Sequence, residues 1–108
     1  MFRAAAACAL IFAACATDLS TGIDTSTLTC PPDSTLSYET YGKIAIEQHC
    51  LSCHATKERP QLNTVEEIRA NRKAILDAAV GSTRMPASND MPLQDRELLG
   101  EWLACGAP

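Results

Sequence analysis

Hydrophobic positions in this chain recur at helical spacing, and no stretch alternates as a strand would, so the pattern predicts an all-α fold. Ser37, a good N-cap, opens a first helix that runs through Tyr38, Tyr41, Gly42, Ala45 and Ile46 into Cys50. Gly42 is costly inside a helix, by roughly 1 kcal/mol relative to Ala, so another backbone or a ring is expected to pass close to it. Thr64-Val65-Glu66-Glu67 has the capping-box pattern. The second helix it opens places Val65, Ile68, Ile75, Leu76 and Ala79 on one face and ends at Gly81. A third helix runs from about Asp95 to Cys105, with Leu98, Leu99, Trp102 and Leu103 inward and Gly106 past its end. There is no internal repeat.

Upstream of these helices the pattern changes twice. Met1 to Ala14 reads as an export signal, with Arg3 as the positive start and an apolar run from Ala4 too short to span a bilayer. Phe12-Ala13-Ala14-Cys15 resembles a bacterial lipobox, with Phe12 in place of the usual Leu, and Cys15 would then be lipidated and lead the mature chain. Ala14-Cys15-Ala16 equally fits an A-x-A cleavage site that releases a soluble protein starting at Thr17. Residues 15–29 are rich in Ser, Thr and Asp and lack apolar periodicity, so they read as a tether with a reach on the order of 20 Å. Pro31-Pro32 marks the start of the folded domain, residues 30–108.

At 108 residues with a removable leader there is room for one small domain. Its aromatic residues are Tyr38, Tyr41 and Trp102, since Phe2 and Phe12 lie in the leader. So short and ring-poor a domain usually recruits a metal, a disulfide or a cofactor. Loss of Arg3 leaves 8 basic against 13 acidic side chains, a net of −5. That balance disfavours nucleic acid and anionic membrane as partners and suits either a partner with a basic docking face or simple solubility.

Cys50-Leu51-Ser52-Cys53-His54 is the sequence that attaches a c-type haem: two thiols three positions apart, then an imidazole for the iron. Zinc sites and dithiol redox pairs also begin C-x-x-C, so the pentapeptide alone is a moderate signal. Cys8 leaves with the leader, Cys15 is lipidated or removed, and Cys50 and Cys53 are taken on the haem reading, which leaves Cys30 and Cys105. In an oxidising compartment these two most simply form a disulfide, the alternative being two free buried thiols.

Together with Met85-Pro86 in an irregular loop and the closing helix Glu97 to Gly106, the pentapeptide makes residues 30–108 resemble a class I, single-haem c-type cytochrome. The resemblance implies about three main helices wrapped around one covalently bound haem c. It also implies a first and a last helix that cross where a glycine meets an aromatic ring, here Gly42 and Trp102. Two features depart from the family's pattern: the segment between His54 and Thr64 is short, and Gln94 stands where a Ser or Thr usually caps the last helix.

By that resemblance Cys50 and Cys53 hold the haem by thioethers, and His54 is the proximal iron ligand, with its second ring nitrogen bonded to a backbone carbonyl near Pro60. Met85 is the expected distal ligand and Met91 its rival. Met91 lies only about four residues before the last helix, which leaves little chain to arch over a haem face. Arg59 and Arg84 are candidates to neutralise a propionate, and His49 reads as a solvated side chain.

The implied function is one-electron transfer in a respiratory or other extracytoplasmic redox chain, by a monomeric carrier that is not an enzyme. It would be exported to the periplasm and touch the membrane only through Cys15. Two alternatives stay open: a haem sensor or peroxidase-like domain with an open sixth position, and a dithiol oxidoreductase using free Cys50 and Cys53.

Overall fold

Two of the helical segments start where a side-chain cap satisfies free amides. In the computed structural model, which describes residues 19–108, the Ser37 hydroxyl accepts from the Thr40 amide at 3.1 Å while the Thr40 hydroxyl accepts from the Ser37 amide at 3.3 Å. This reciprocal cap opens a π-helical turn, Tyr38–Gly42, that continues as α1, Lys43–His49. The helix breaks at Cys50, with φ −124°, before one further turn, α2, Leu51–His54. The Thr64 and Glu67 capping box opens α3, Val65–Ala70.

The second expected helix is divided at Asn71. Its side-chain amide donates to the Glu67 carbonyl at 2.8 Å, so it competes with the helical ladder for its own helix's acceptors. The chain resumes as α4, Arg72–Ile75, and ends in a second π-helical turn, Leu76–Val80. The last helix, α5, spans Leu93–Ala104 and begins two residues before Asp95, behind Pro92 rather than a hydroxyl cap. Proline fixes a φ compatible with a helix start and leaves its carbonyl free to accept the first bond, here from the Arg96 amide at 3.1 Å. The described residues are helical without a strand, apart from one isolated bridge between Ser20 and Ser82.

The core lies between the first helical segment, α3, the Leu76–Val80 turn and α5, with Ile46, Ile68, Val80, Leu99, Trp102 and Leu103 at most 2 % exposed. Trp102 lies against the backbone of Gly42, so closely that a Cβ there would overlap its ring. Tyr38 stacks on the indole at 6.4 Å, and Tyr41 meets it edge-on at 6.1 Å and 72°. The indole N–H donates to the Pro108 carbonyl at 3.3 Å, which satisfies its polar atom inside the core.

Cys30 and Cys105 form the expected disulfide, with Cα atoms 4.5 Å apart across a sequence separation of 75. Closing so long a loop contributes at most roughly 4.5 kcal/mol through the entropy of the unfolded chain.

The tether expected over residues 15–29 is not free from Leu19 onward. The Thr21 amide donates to the Gly81 carbonyl at 3.2 Å, and the Leu19 carbonyl accepts from the Thr83 amide at 2.9 Å. Ile23 and Leu28 pack on the core. Two isolated apolar residues among polar ones carry no periodic signal, so only the groove that receives them reveals the docking. The export signal and Cys15 lie outside the described residues.

Helix propensity and packing make opposite forecasts for Gly42→Ala. Propensity favours Ala by up to about 1 kcal/mol, whereas forcing a methyl against the Trp102 ring is expected to destabilise by about 1 to 3 kcal/mol. Urea unfolding of the variant should show the second sign, and a gain in stability would remove the helix crossing as its cause.

Candidate functional site

The break between α1 and α2 is what places the C-x-x-C-H residues. The Cys50 amide still donates to the Ile46 carbonyl at 2.9 Å, and the Cys50 carbonyl accepts from His54 at 2.9 Å and from Cys53 at 3.3 Å. The pentapeptide thus forms a tight turn hung on the end of α1, and Cys50, Ser52, Cys53 and His54 line a cavity of about 570 Å³ while Leu51 packs on the core. That volume is in the range of cofactor sites. Leu62, Ile75, Ala78 and Ala79 give part of the wall an apolar surface.

His54 is oriented by the short segment behind it. The Leu62 amide donates to the His54 carbonyl at 2.9 Å, and the His54 Nδ1 lies 2.8 Å from the Pro60 carbonyl oxygen. A carbonyl can only accept, so Nδ1 donates, and in the neutral imidazole this tautomer leaves the lone pair on Nε2. This is the protonation pattern of an imidazole that ligates metal through Nε2. The backbone acceptor expected near Pro60 is the Pro60 carbonyl itself.

Both thiols are unpaired, Cys53 exposed and Cys50 half-buried. Burial pushes the Cys50 pKa up to about 11. A buried thiol held protonated is a poor nucleophile, the opposite of the depressed pKa on which dithiol redox chemistry depends. Among the described residues no three or more His, Cys, Asp or Glu side chains are grouped closely enough to hold a metal ion by themselves.

The two methionines are separated by their surroundings. Met85 lines the cavity, brought there by the irregular chain after the Leu76–Val80 turn, and its amide donates to the Ala78 carbonyl at 2.9 Å. Met91 is 5 % exposed and belongs to the hydrophobic core. Arg59 and Arg84 both line the cavity, and among the described residues neither lies within 4.0 Å of a carboxylate.

His49 departs from the expectation of a solvated side chain. Its side chain is 14 % exposed, lines the cavity, and holds Nε2 3.7 Å from an Asp95 carboxylate oxygen. The end of α1 turns it inward beside Tyr41, whose hydroxyl donates to the Asp95 carbonyl at 3.4 Å and whose pKa burial raises.

Arg96 is the residue that sequence reasoning overlooked. It is 2 % exposed, and burial lowers its pKa, with Asp90 opposing the shift. Its guanidinium donates to the carbonyls of Ala79, Ser82, Met85 and Met91 and to the Asn89 side chain. A signal existed: Arg96 precedes Leu99 by three positions and Leu103 by seven, which puts it on the buried stripe of α5. Compared with known protein families, curated proteins and solved structures, the chain matches none of them.

With both thiols free, Cys50 should resist alkylation by iodoacetamide at neutral pH and react with a midpoint near pH 11, as followed by mass spectrometry. The unfolded chain ionises this thiol first, near pH 8.5, so folding stability should fall as pH rises from there towards 11. A thioether cannot ionise, and capping Cys50 should remove that slope. An alkylation midpoint near the unfolded value would contradict the burial.

Proposed function

We propose that this chain is a single-electron carrier built on one covalently attached haem c, with His54 and Met85 as axial ligands. The observation that carries the reading is the convergence on one partly apolar cavity of two unpaired thiols, an imidazole with Nε2 left open, and a methionine thioether. When bound, the group would supply a one-electron ferric/ferrous couple. The residues around the cavity fit such a group in chemistry.

Cys50 and Cys53 would each hold a vinyl group, the S–H adding across the double bond without oxidant. The raised pKa of Cys50 matters little once its sulfur is capped. The Pro60 carbonyl holds the imidazole of His54 in orientation and raises its basicity. Met85 would contribute a soft, neutral thioether, which favours the reduced metal and raises the potential. Arg59 and Arg84 line the cavity and would be the candidates to pair with propionates, and the apolar part of the wall would exclude water. If His54 and Met85 both held the iron, no position on it would be left for a substrate, so a carrier fits better than a peroxidase-like domain or a sensor. The protonated Cys50 disfavours the dithiol alternative.

Export is part of the same proposal, because the Cys30–Cys105 disulfide belongs to an oxidising compartment. The protein would work in the periplasm, anchored through Cys15, and exchange electrons with redox proteins that carry a basic docking face. No described helix is long and apolar enough to cross a membrane.

Haem staining of a denaturing gel tests the attachment. The wild type should stain, and Cys50→Ala with Cys53→Ala should not. An unstained wild-type band from cells competent in cytochrome maturation would sink the proposal.

The axial assignment has a separate test. Met85→Ala should erase the weak far-red band of Met-ligated ferric haem, lower the potential and let carbon monoxide bind the reduced protein. Met91→Leu keeps volume in the core, so it should cost less than about 1.5 kcal/mol and leave the spectrum unchanged. The reverse pattern would exchange the roles of the two residues, and a band indifferent to both would end the His/Met reading.

A further inference from the structure

Arg96 buries a permanent charge in the core. Among the described residues no carboxylate lies within 4.0 Å of it. A buried cation is expensive unless its donors are satisfied, and here they are satisfied by backbone rather than by a counter-charge. Nη1 donates to the carbonyls of Ala79 at 2.7 Å, Ser82 at 3.1 Å and Met85 at 2.7 Å. Nε donates to Met91 at 3.0 Å, and Nη2 to the Asn89 side chain at 3.2 Å. One planar group therefore gathers acceptors from both ends and the middle of the segment between the Leu76–Val80 turn and α5.

That segment has no regular structure after Val80 until Leu93. Its first part is also held by Leu19 and Thr21 of the docked segment that precedes the first helix. Among the described residues, the hydrogen bonds that tie Met85 to Met91 to chain outside that stretch are the Met85 amide to Ala78 and those from Arg96. The two residues that address the Met85 backbone, Ala78 through its carbonyl and Arg96 through its guanidinium, hold the peptide units on either side of its Cα while the side chain lines the cavity.

We propose that Arg96 is a positioning residue for Met85: its guanidinium locks the 79–91 backbone so that the thioether stays at the cavity, and thereby sets how firmly Met85 holds the iron. The inference rests on the reading of Met85 as the distal ligand. A lysine in its place keeps the charge but not the planar fork, so it reaches fewer of these acceptors at once. Arg96→Met keeps an unbranched apolar stem and removes every donor.

The test uses the haem-loaded protein and follows four readouts: the far-red ferric band, the midpoint potential, carbon monoxide binding, and hydrogen exchange of the Met85 amide. Arg96→Lys should weaken the band, lower the potential, admit carbon monoxide and speed Met85 exchange by about tenfold or more, with the amides of α3 unchanged. Arg96→Met should go further, and lysine should therefore rescue part of the effect. Asn89→Ala, which removes one acceptor, should produce a smaller shift in the same direction and serves if Arg96→Met does not fold. Leu99→Ala opens a void in the core on the same helix, and should lower the melting temperature while leaving band and potential in place.

A wild-type spectrum with the band, together with Arg96→Lys and Asn89→Ala variants that keep its intensity, the potential and the Met85 exchange rate, would overturn the positioning role and leave the ligand assignment standing. Equal loss of the band in Leu99→Ala would overturn it too, as general destabilisation. A wild type that lacks the band fails earlier, at the ligand assignment, and takes this inference with it.

Discussion

The contact between the Trp102 ring and the bare backbone of Gly42 is the constraint from which the rest of the molecule is hung. Trp102 is fully buried. Tyr38 and Tyr41 close around it, and the Pro108 carbonyl takes its N–H. Any side chain at position 42 would push the ring away, so the contact sets how near α5 comes to the first helical segment. That segment leads directly into Cys50, Cys53 and His54, while α5 carries Arg96 and, through it, the backbone of Met85. The two sides of the cavity therefore take their relative placement from one glycine and one indole. Gly100 plays a lesser version of the same part, since a Cβ there would lie 3.0 Å from Val80 in the turn that precedes the Met85 segment.

A domain with so few large rings has a modest core, and the structure shows how it is supplemented. The disulfide joins the segment before the first helix to the end of α5. The chain from Leu19 to Leu28 covers the Leu76–Val80 turn and the start of the segment after it. Arg69 and Arg72 donate to the carbonyls of Ala107 and Leu103, tying α3 and α4 to the residues around the end of α5. These ties surround the cavity but leave its interior to something else. On the proposed reading a bound haem would fill that space and complete the core, so attachment and folding would be one process rather than two.

Electrostatics divide the cavity in a way that suits this reading. Aliphatic side chains form part of its wall, whereas Glu58, Arg59, Arg84 and Asp90 bring charge to its lining. A neutral imidazole and a neutral thioether are donors that tolerate a dry setting. Among the described residues the charge buried behind the Met85 segment belongs to Arg96, and it is spread over four backbone carbonyls and an amide oxygen instead of a carboxylate. A counter-anion there would add a second desolvated charge. Carbonyl dipoles avoid that and at the same time give the loop its shape.

Features that depend on neighbours in the chain could be read from the chain alone. The caps at Ser37 and Thr64 act within three residues, and both helices start where those residues stand. The all-α pattern, the close approach at Gly42 and the pairing of Cys30 with Cys105 followed from periodicity, propensity and cysteine count. What escaped is what depends on distant partners. The break at Asn71, the start of α5 behind Pro92, the docking of residues 19–29 and the inward turn of His49 are decided by which acceptors and grooves the folded chain brings near. The separation of Met85 from Met91 is of the same kind, since loop length only suggested what burial in the core and exposure to the cavity distinguish. Arg96 shows the limit most clearly. Its place on the buried stripe of α5 was present in the sequence, but a charge at such a position makes sense only when carbonyls from Ala79 to Met91 converge on it, and those carbonyls converge only in the tertiary structure.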